Sequence, residues 1–266
     1  AVVVATPPTQ HFAPAAEALQ KGAHVLVEKP ITATLEEGIQ LASLAEHHSR
    51  LLMVGHIVRF NPAVRELKYR LDAGELGRIF QITCRRVGPF PAPRRDVGVV
   101  IDLAPHDLDL LCWLTNNEPK IITAQTARQL HTEFEDLLVA TLRFPGEIIA
   151  TLETNWLTPT KVREICVLGE RGLLRVDDLT QDLFFYENAA SSARGVAAGN
   201  GWPVLQTLRG VAEGTVTRYA ISHQEPLQVE LSAFIQAIQT GSSSPISAGE
   251  GITALRLALE LLSEGK

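Results

Sequence analysis

An acid and a histidine stand four positions apart near the middle of the 266-residue chain, at Asp102 and His106. On an α-helix this spacing places both side chains on one face, where a carboxylate orients an imidazole and stabilises its charged form. Such a pair suits proton transfer. Pro105 is tolerated only near a helix start, so we expect the helix to begin near Asp102, with Asp102 as its N-cap. The alternative is that Asp102 only caps the helix and His106 is an exposed histidine in its first turn.

Lys29 follows a short apolar run, residues 25–27, that has the composition of a buried strand. If this strand belongs to a parallel sheet, its carboxyl end faces the crevice in which ligands bind. There the Lys29 ammonium can hydrogen-bond a reacting hydroxyl group. The alternative is a solvated lysine in a loop.

Four arginines lie close together in a chain that is acidic overall, at Arg85, Arg86, Arg94 and Arg95, and three prolines stiffen the segment between them. Guanidinium groups match the oxygens of phosphates and carboxylates. We therefore predict that Arg86, Arg94 and Arg95 bind substrate; the alternative is that they pair with surface acids.

Asn61, directly after Arg59 and Phe60, is a further candidate for a contact with a sugar. The alternative is that Asn61 only shapes the turn before Pro62.

Strands and helices alternate over the first 58 residues. We predict strands at residues 2–4, 24–27 and 51–54, all buried, and helices at residues 11–22 and 34–48. Alternation of this kind is typical of right-handed βαβ units in a parallel sheet, so the residues that follow the three strands should share one edge.

The remaining residues, 59–266, have a different pattern. We predict helices at 63–73, 102–115, 228–240 and 248–263, strands at 78–86, 121–128, 137–144, 147–155, 163–168 and 172–176, and a loop at 191–201. Strands in succession indicate an α+β domain with a large, mostly antiparallel open sheet that helices cover on one face. The other face is a candidate surface for a homodimer or homotetramer.

Composition excludes several classes of function. A net charge of −6 and a pI near 5.8 give no reason to expect nucleic acid or an anionic membrane as a partner. No apolar run is long enough to span a bilayer, and no secretory leader opens the chain. The three cysteines lack CxxC spacing, so we expect neither a disulfide framework nor a metal site. We also expect a cytoplasmic location.

Six segments occur in the order and character of one family: ATPPTQHF (5–12), HVLVEKPIT (24–32), GHIVRFNPAV (55–64), GELGRIF (74–80), DVGVVIDLAPHDLDLLCWL (96–114) and PISAGEGITALRLALELL (245–262). No single segment is decisive, but the ordered set spans almost the whole chain. The chain therefore resembles the glucose-fructose oxidoreductase, inositol dehydrogenase and rhizopine-catabolism (Gfo/Idh/MocA) family. The resemblance implies part of a Rossmann NAD(P)-binding domain in residues 1–58 and a substrate-binding and oligomerisation domain in residues 59–266.

The resemblance also implies roles for individual residues. By the matching motifs, Lys29, Asp102 and His106 form the catalytic set, and a cis peptide often precedes the proline that matches Pro30. The bound cofactor is NAD or NADP. The cofactor-binding set that we predict is Thr6, Pro7, Pro8, His11, Glu28, Lys29 and Arg59.

One feature of the family is missing, because no GxGxxG motif occurs in the sequence. Family members carry this dinucleotide fingerprint near the amino end, together with the acidic residue that selects NAD over NADP. We therefore expect an amino-terminal truncation of about 60 residues, the usual length of two βαβ units, and impaired cofactor binding by the chain as it stands.

The stretch RVGPFPAPRRDVG (86–98) is similar to the subgroup that oxidises nucleotide-activated amino sugars, such as UDP-N-acetylglucosamine 3-dehydrogenases. We expect hydride transfer between a ring CH–OH group of such a sugar and nicotinamide, with His106 or Lys29 taking the hydroxyl proton. The alternatives are an inositol or simple aldose dehydrogenase and a non-catalytic sensor of dinucleotide and sugar. The presence of Lys29, Asp102 and His106 favours an enzyme.

Overall fold

A computed structural model describes residues 1–90, 97–130, 133–189 and 213–265. Its first sheet has three parallel strands in the order in which they occur in the chain: β1 (Val2–Val4), β2 (Val25–Glu28) and β3 (Leu52–Gly55). The strand ends are level, since Glu28 pairs with Gly55. The residues that follow the strands therefore lie along one edge, as predicted.

The first strand is more exposed than its apolar composition predicts. Val4 is buried, but Val2 and Val3 are 38% and 49% exposed. The physical reason is position, because among the strands that the structure describes β1 pairs only with β2, at an edge of this sheet. A run of valines indicates a strand but does not reveal how many neighbours it has.

Two helices, α1 (Phe12–Gln20) and α2 (Leu35–His47), connect the three strands. The apolar face of α1 is buried beside the sheet, with Ala15 and Leu19 both fully covered. The hydroxyl of Thr34 accepts a hydrogen bond from the Glu37 backbone N–H at 3.3 Å and so caps the N-terminus of α2.

A short 3-10 helix (Ile57–Phe60) and α3 (Pro62–Asp72) lead into the second sheet, which has eight described strands. In chain order these strands are β4 (Ile79–Val87), β5 (Lys120–Ala127), β6 (Leu137–Arg143), β7 (Ile149–Asn155), β8 (Val162–Gly169), β9 (Gly172–Asp177), β10 (Asp182–Asn188) and β11 (Glu213–Arg218). Their spatial order is β11-β10-β9-β8-β4-β7-β6-β5. Among these strands only β4 and β7 pair in parallel, so the sheet is mostly antiparallel, as expected.

Helices cover one face of this sheet. On β4 the side chains of Ile82, Cys84 and Arg86 are buried against α4 (Val99–Thr115), whereas Arg85 points to the open face. The predicted fold class, a parallel sheet followed by an α+β domain with a large open sheet, is therefore confirmed. Strands β10 and β11 were not predicted, and the predicted loop at 191–201 lies outside the described residues.

The last two helices, α5 (Pro226–Thr240) and α6 (Ala248–Glu264), return to the first sheet. The backbone N–H of Val54 donates to the carbonyl of Ile246 at 3.3 Å. At Gly251 an added Cβ would lie 2.6 Å from a Val54 methyl group, so only glycine permits this approach of α6 to β3. The carboxyl-terminal helices thus help to build both hydrophobic cores.

None of the described helices combines the length and the apolar character that crossing a bilayer requires.

Candidate active site

Lys29 lies where the strand pattern predicts, directly beyond the carboxyl end of β2. Its ammonium donates to the backbone carbonyl of Asp102 at 2.6 Å and to Asp102 Oδ1 at 3.2 Å. Only 15% of its side chain is exposed. Burial lowers the pKa of Lys29, and the Asp102 carboxylate opposes this change. The peptide bond between Lys29 and Pro30 is cis.

The prediction that Asp102 is the N-cap of its helix is wrong. Helix α4 begins three residues earlier, at Val99, and Gly98 occupies the N-cap position. The free N–H groups of the first turn are satisfied by a distant residue: Val99 donates to the Glu135 carbonyl at 2.9 Å, and Val100 donates to Glu135 Oε1 at 3.1 Å. A cap that comes from another part of the chain leaves no local sequence signal.

Asp102 and His106 lie one turn apart on α4, as the spacing requires, but the expected effect of the carboxylate on the imidazole is wrong. The pKa of His106 is lowered well below its ordinary value, first by burial and then by the positive charges of Lys29 and Arg86. Its Nδ1 atom is buried without a hydrogen-bond partner. The described contacts of the Asp102 carboxylate are with Lys29 instead. His106 is therefore a neutral base at pH 7.

His56 is a second buried imidazole in this region, and the sequence analysis did not single it out. It follows β3 as Lys29 follows β2, so the rule of shared strand ends could have found it. Neither ring nitrogen has a hydrogen-bond partner, and Nδ1 lies 3.8 Å from Asp109 Oδ2. Burial lowers the pKa of His56, so this histidine also stays neutral.

Arg86 lies in the site, but its guanidinium is already paired. Its Nε donates to Asp107 Oδ1 and Oδ2 at 2.9 and 3.0 Å, and Nη2 donates to Oδ1 at 2.8 Å. Burial opposes the charge of Arg86, but Asp107 more than compensates and the pKa is raised. Arg86 therefore pairs with an acid, as in the alternative to substrate binding. That acid, Asp107, is buried and not at the surface.

Asn61 also has protein partners. Its Oδ1 accepts from the Ala63 N–H at 2.9 Å, which makes it the N-cap of α3. Its Nδ2 donates to the backbone carbonyl of Asp178 at 2.9 Å and to Oδ1 of that residue at 2.6 Å. Burial raises the pKa of Asp178. Asn61 thus connects the start of α3 to an acid that faces Arg86.

Arg163 is a cation of the site that the sequence analysis missed. It lies on β8 directly opposite Arg86 on β4. Its Nη1 donates to the backbone carbonyls of Val87 and Val162 at 2.7 and 2.8 Å. Burial, and after it the charge of Arg86, lowers the pKa of Arg163 to about 10. Its alternation with the buried Ile165 could have placed it on the covered face of the sheet.

The loop after β1 holds the first four residues of the predicted cofactor set. Thr6 and Pro7 are exposed, and the Thr6 hydroxyl donates to the Gln10 carbonyl at 3.2 Å. His11 is buried, with Nδ1 2.9 Å from the carbonyl of Pro30 and Nε2 2.7 Å from that of Thr6. His11 therefore ties the loop after β1 to the loop after β2, and Thr6, Pro7 and Pro8 form the surface of that loop.

Arg59 forms a separate ionic cluster with Asp109 and Glu250. Its Nε donates to Asp109 Oδ2 at 2.7 Å, Nη2 donates to Asp109 Oδ1, and Nη1 donates to Glu250 Oε1 at 2.6 Å. Arg59 and Asp109 are buried. The guanidinium is thus taken up by two carboxylates, and its predicted contact with the cofactor stays a prediction.

Two predicted substrate residues, Arg94 and Arg95, lie outside the described residues. Over the described part of the chain, no group of three or more acidic, histidine or cysteine side chains is arranged to hold a metal ion.

Comparisons with known proteins agree with this architecture. The pattern of the oxidoreductase family with an NAD-binding Rossmann fold matches residues 1–56, and that of the GFO/IDH/MocA C-terminal domain matches residues 64–175. UDP-N-acetylglucosamine 3-dehydrogenase of Acidithiobacillus ferrooxidans is 29% identical over 238 residues, covering 90% of this chain and 70% of that enzyme. A solved structure of the same enzyme superposes with a TM-score of 0.81 at 27% identity, covering 98% of this chain and 76% of that one.

Two further relatives extend the comparison. The WlbA dehydrogenase of Bordetella pertussis, solved in complex with NADH and UDP-GlcNAcA, has a TM-score of 0.74 at 25% identity and covers 99% of this chain and 75% of that chain. A myo-inositol dehydrogenase of Streptomyces leeuwenhoekii is 30% identical over 254 residues, covering 91% of this chain and 71% of that enzyme. With both family patterns matched in order, the chain belongs to the GFO/IDH/MocA family of NAD(P)-dependent oxidoreductases.

Proposed function

We propose that the protein transfers a hydride between a ring CH–OH group of a sugar and NAD or NADP. The observation that supports this proposal is the meeting of Lys29, from the end of a parallel strand, with the segment of α4 that bears Asp102 and His106. Lys29 follows a strand of the first sheet, and Asp102 lies 73 residues further along the chain, on α4. Lys29 and His106 are groups that can take a proton, and the Asp102 carboxylate lies beside them. Alcohol oxidation needs such a group to take the hydroxyl proton.

The residues present fit a nicotinamide cofactor. The loops after β1 and β2 lie side by side at the carboxyl edge of the parallel sheet, which is where dinucleotides bind in folds of this kind. We propose that Thr6, Pro7 and Pro8 line the cofactor, that His11 holds their loop in place, and that Glu28 and Lys29 reach the nicotinamide ribose. The unpartnered Nδ1 of His106 is a buried polar atom of the kind that a ligand completes.

The mechanism follows from the charges in the site. The bound nicotinamide supplies the acceptor for the hydride. We propose that the hydroxyl proton goes to neutral His106 or to Lys29, whose lowered pKa makes its amine a better base at neutral pH than an exposed lysine. Where His106 takes the proton, Asp102 holds the Lys29 ammonium in place, and this ammonium stabilises the negative charge that develops on the sugar oxygen.

For the substrate, we propose a nucleotide-activated sugar such as a UDP-amino sugar. The support comes from two relatives: the one at 29% identity is a UDP-N-acetylglucosamine 3-dehydrogenase, and the one at 25% identity was solved in complex with UDP-GlcNAcA. Arg94, Arg95, Arg86 and Asn61 are proposed as substrate residues on the sequence pattern. Arg86 and Asn61 also hold protein partners in the site, so their part would be to shape the pocket around the sugar.

An inositol or simple aldose dehydrogenase is the second candidate. It is favoured by the pairing of Arg86 with Asp107, which removes one predicted anion-binding group, and by the myo-inositol dehydrogenase at 30% identity.

We further propose a division into domains at residues 58 and 59, a homodimer or homotetramer formed through the open sheet face, and a cytoplasmic location. Val139, Ile149 and Leu168 give that face exposed apolar side chains, between 39% and 49% exposed. All three cysteines are free, which suits a reducing compartment. Light scattering on the wild type and on Val139→Lys tests the interface, since a charge there should shift the protein towards monomer.

The test of the proposed function is an absorbance assay for reduced nicotinamide with UDP-N-acetylglucosamine, free sugars and inositols, each with NAD and with NADP. Reduction with the nucleotide sugar alone supports the proposal. Reduction with neutral polyols alone keeps the dehydrogenase and overturns the nucleotide sugar. Cofactor binding without turnover on any substrate overturns the enzyme in favour of a sensor.

A further inference from the structure

Arg86 and Arg163 stand directly opposite each other on neighbouring antiparallel strands, β4 and β8. Side chains of such a pair lie on the same face of the sheet, here the face covered by α4. Like charges in this position destabilise a sheet. The arrangement therefore carries an unfavourable interaction that some other group must offset.

The protein offsets the two charges unequally. Arg86 has the bidentate Asp107, and Asp178 lies 3.8 Å from its Nη1. Arg163 donates only to backbone carbonyls, and no carboxylate of the described residues forms an ion pair with it. Even with a pKa near 10, Arg163 is a cation at neutral pH. It is thus a part-buried positive charge whose compensation is incomplete.

The charge of Arg163 acts on the groups of the candidate active site. Its charge is one of those that lower the pKa of His106, and Asp102 is among the acids that act on Arg163 in return. The geometry agrees, because Arg163 lies opposite Arg86, and Arg86 donates to Asp107, the neighbour of His106 on α4. A guanidinium forms charge-assisted hydrogen bonds with phosphate or carboxylate oxygens, and these strengthen where water is partly excluded.

We propose that Arg163 binds an anionic group of the substrate, the diphosphate of a nucleotide-activated sugar, while the sugar ring lies between Lys29 and His106. This assignment rests on the proposed function, because a neutral polyol would leave Arg163 without a counter-charge. A carboxylate on a sugar shares the required chemistry, so the test compares the two anions.

The experiment is a calorimetric titration of the wild type, Arg163→Gln and Arg163→Lys with UDP and, separately, with glucuronate. We expect UDP to bind the wild type, Arg163→Gln to weaken binding at least tenfold, and Arg163→Lys to recover part of the loss because it keeps the charge. The matched control is Arg85→Gln, on the adjacent position of β4 but on the open face, where Arg85 pairs with Glu153. This control should leave binding unchanged.

A second measurement needs no variant and covers the case in which Arg163→Gln fails to fold. Wild-type protein is treated with phenylglyoxal, which modifies arginines, with and without UDP, and the modified residues are located by mass spectrometry. UDP should protect Arg163 and leave Arg85 as reactive as before. Equal modification of Arg163 in both samples would overturn the proposal.

The outcomes separate this assignment from the proposed function. If Arg163→Gln binds UDP as tightly as the folded wild type, Arg163 is not the anion site, while the nucleotide sugar still stands. If the wild type binds glucuronate and not UDP, and Arg163→Gln loses that binding, the anion site stands and the nucleotide sugar is overturned. If neither anion binds the wild type, both are wrong.

Discussion

Two ionic clusters flank helix α4, and they differ in how completely their charges are paired. In the Arg59 cluster (Arg59, Asp109 and Glu250), three guanidinium nitrogens each donate to a carboxylate oxygen. The other, the Lys29 cluster, contains Lys29, Asp102, His106 and Arg163. There one imidazole nitrogen has no partner and one arginine has no ion pair among the described residues.

The difference separates structural charges from functional ones. Desolvation of an ion pair costs free energy, and the attraction between the charges offsets this cost only where the geometry is good. We therefore interpret the fully paired cluster as one that holds elements of the fold together. An incompletely paired cluster costs stability in the free protein and is tolerated where a ligand completes it. Variants of the Arg59 cluster should therefore affect folding first, and variants of the Lys29 cluster should affect turnover first.

The largest expected effect is on turnover. Lys29→Ala and His106→Asn should each lower kcat by about 10²–10⁴-fold, because each removes a group that takes the proton or stabilises the alkoxide. Turnover is followed by nicotinamide absorbance, and thermal unfolding checks that the fold is kept. Lys21→Ala, in an exposed pair on α1, is the control and should retain the wild-type rate. Near-normal rates in both variants would contradict the assignment.

The pH dependence of kcat/KM sharpens the same point. Because burial lowers the pKa of His106 well below 6.5, the imidazole stays neutral as the pH falls through that value. The acid limb of the profile should therefore lie clearly below pH 6.5. An acid limb at or above pH 6.5 that disappears in His106→Asn would show that the free enzyme protonates His106 readily.

Next in size is the effect of Arg59→Met on stability. This change leaves Asp109 as a buried charge that has lost its guanidinium, which costs about 3–5 kcal/mol of the free energy of unfolding. Denaturant titration measures the loss. Arg256→Met, which breaks exposed pairs with Glu118 and Glu260, is matched in chemistry and should cost less than about 1 kcal/mol for each pair. Equal losses would remove the distinction between the clusters.

Glu230 tests whether every unpaired buried titratable group is functional. It lies on α5, fully covered, and neither carboxylate oxygen has a hydrogen-bond partner. Burial, and after it the charge of Glu28, raises its pKa from 4.5 to about 8. Between these values the folded state keeps a proton that the unfolded state has lost. This contribution to stability is complete below pH 4.5 and disappears as the pH rises through 8.

The wild type should therefore lose up to about 1.4 kcal/mol of unfolding free energy per pH unit across that window through this residue. Glu230→Gln should remove this part of the slope, measured by urea titration from pH 5 to pH 8. If the variant keeps its kcat, an unpaired acid can be structural. A large fall in kcat would extend the functional cluster to Glu230.

The smallest effect concerns the start of α4. Glu135→Ala removes the carboxylate that accepts from Val100, and loss of such a cap costs about 1–2 kcal/mol. Thermal unfolding should show the loss. If Glu135 supports the helix end and has no part in the reaction, kcat should change little. An unfolding temperature that is unchanged in Glu135→Ala would contradict the role of Glu135.

What the sequence predicts well in this protein is local. The position of Lys29 follows from a rule about parallel strands, and that of His106 relative to Asp102 follows from helical spacing. Their partners depend on long-range contacts: Lys29 reaches Asp102 across 73 positions, and Glu135 caps a helix that begins 36 residues before it. No pattern within a short window contains that information.

The missed strand β11 has a different cause. In β11 the described side chains are largely exposed, with Val216 at 58%, because β11 is the outer strand of the sheet. A strand without a buried face has no alternation to detect. The start of α4 has another cause: a proline indicates that a helix begins nearby, but α4 begins at Val99 and continues through Pro105.

The return of the last two helices to the first sheet has a consequence for how the chain is made. The core around Leu26 and Val54 includes Phe234 and Leu255, so the ribosome adds about 200 residues between the first part of this core and the last. At cellular translation rates that interval lasts roughly 10–40 s. The first sheet to leave the ribosome is thus among the last to be covered, and a nascent chain that stops before Leu255 leaves that apolar surface open to other proteins.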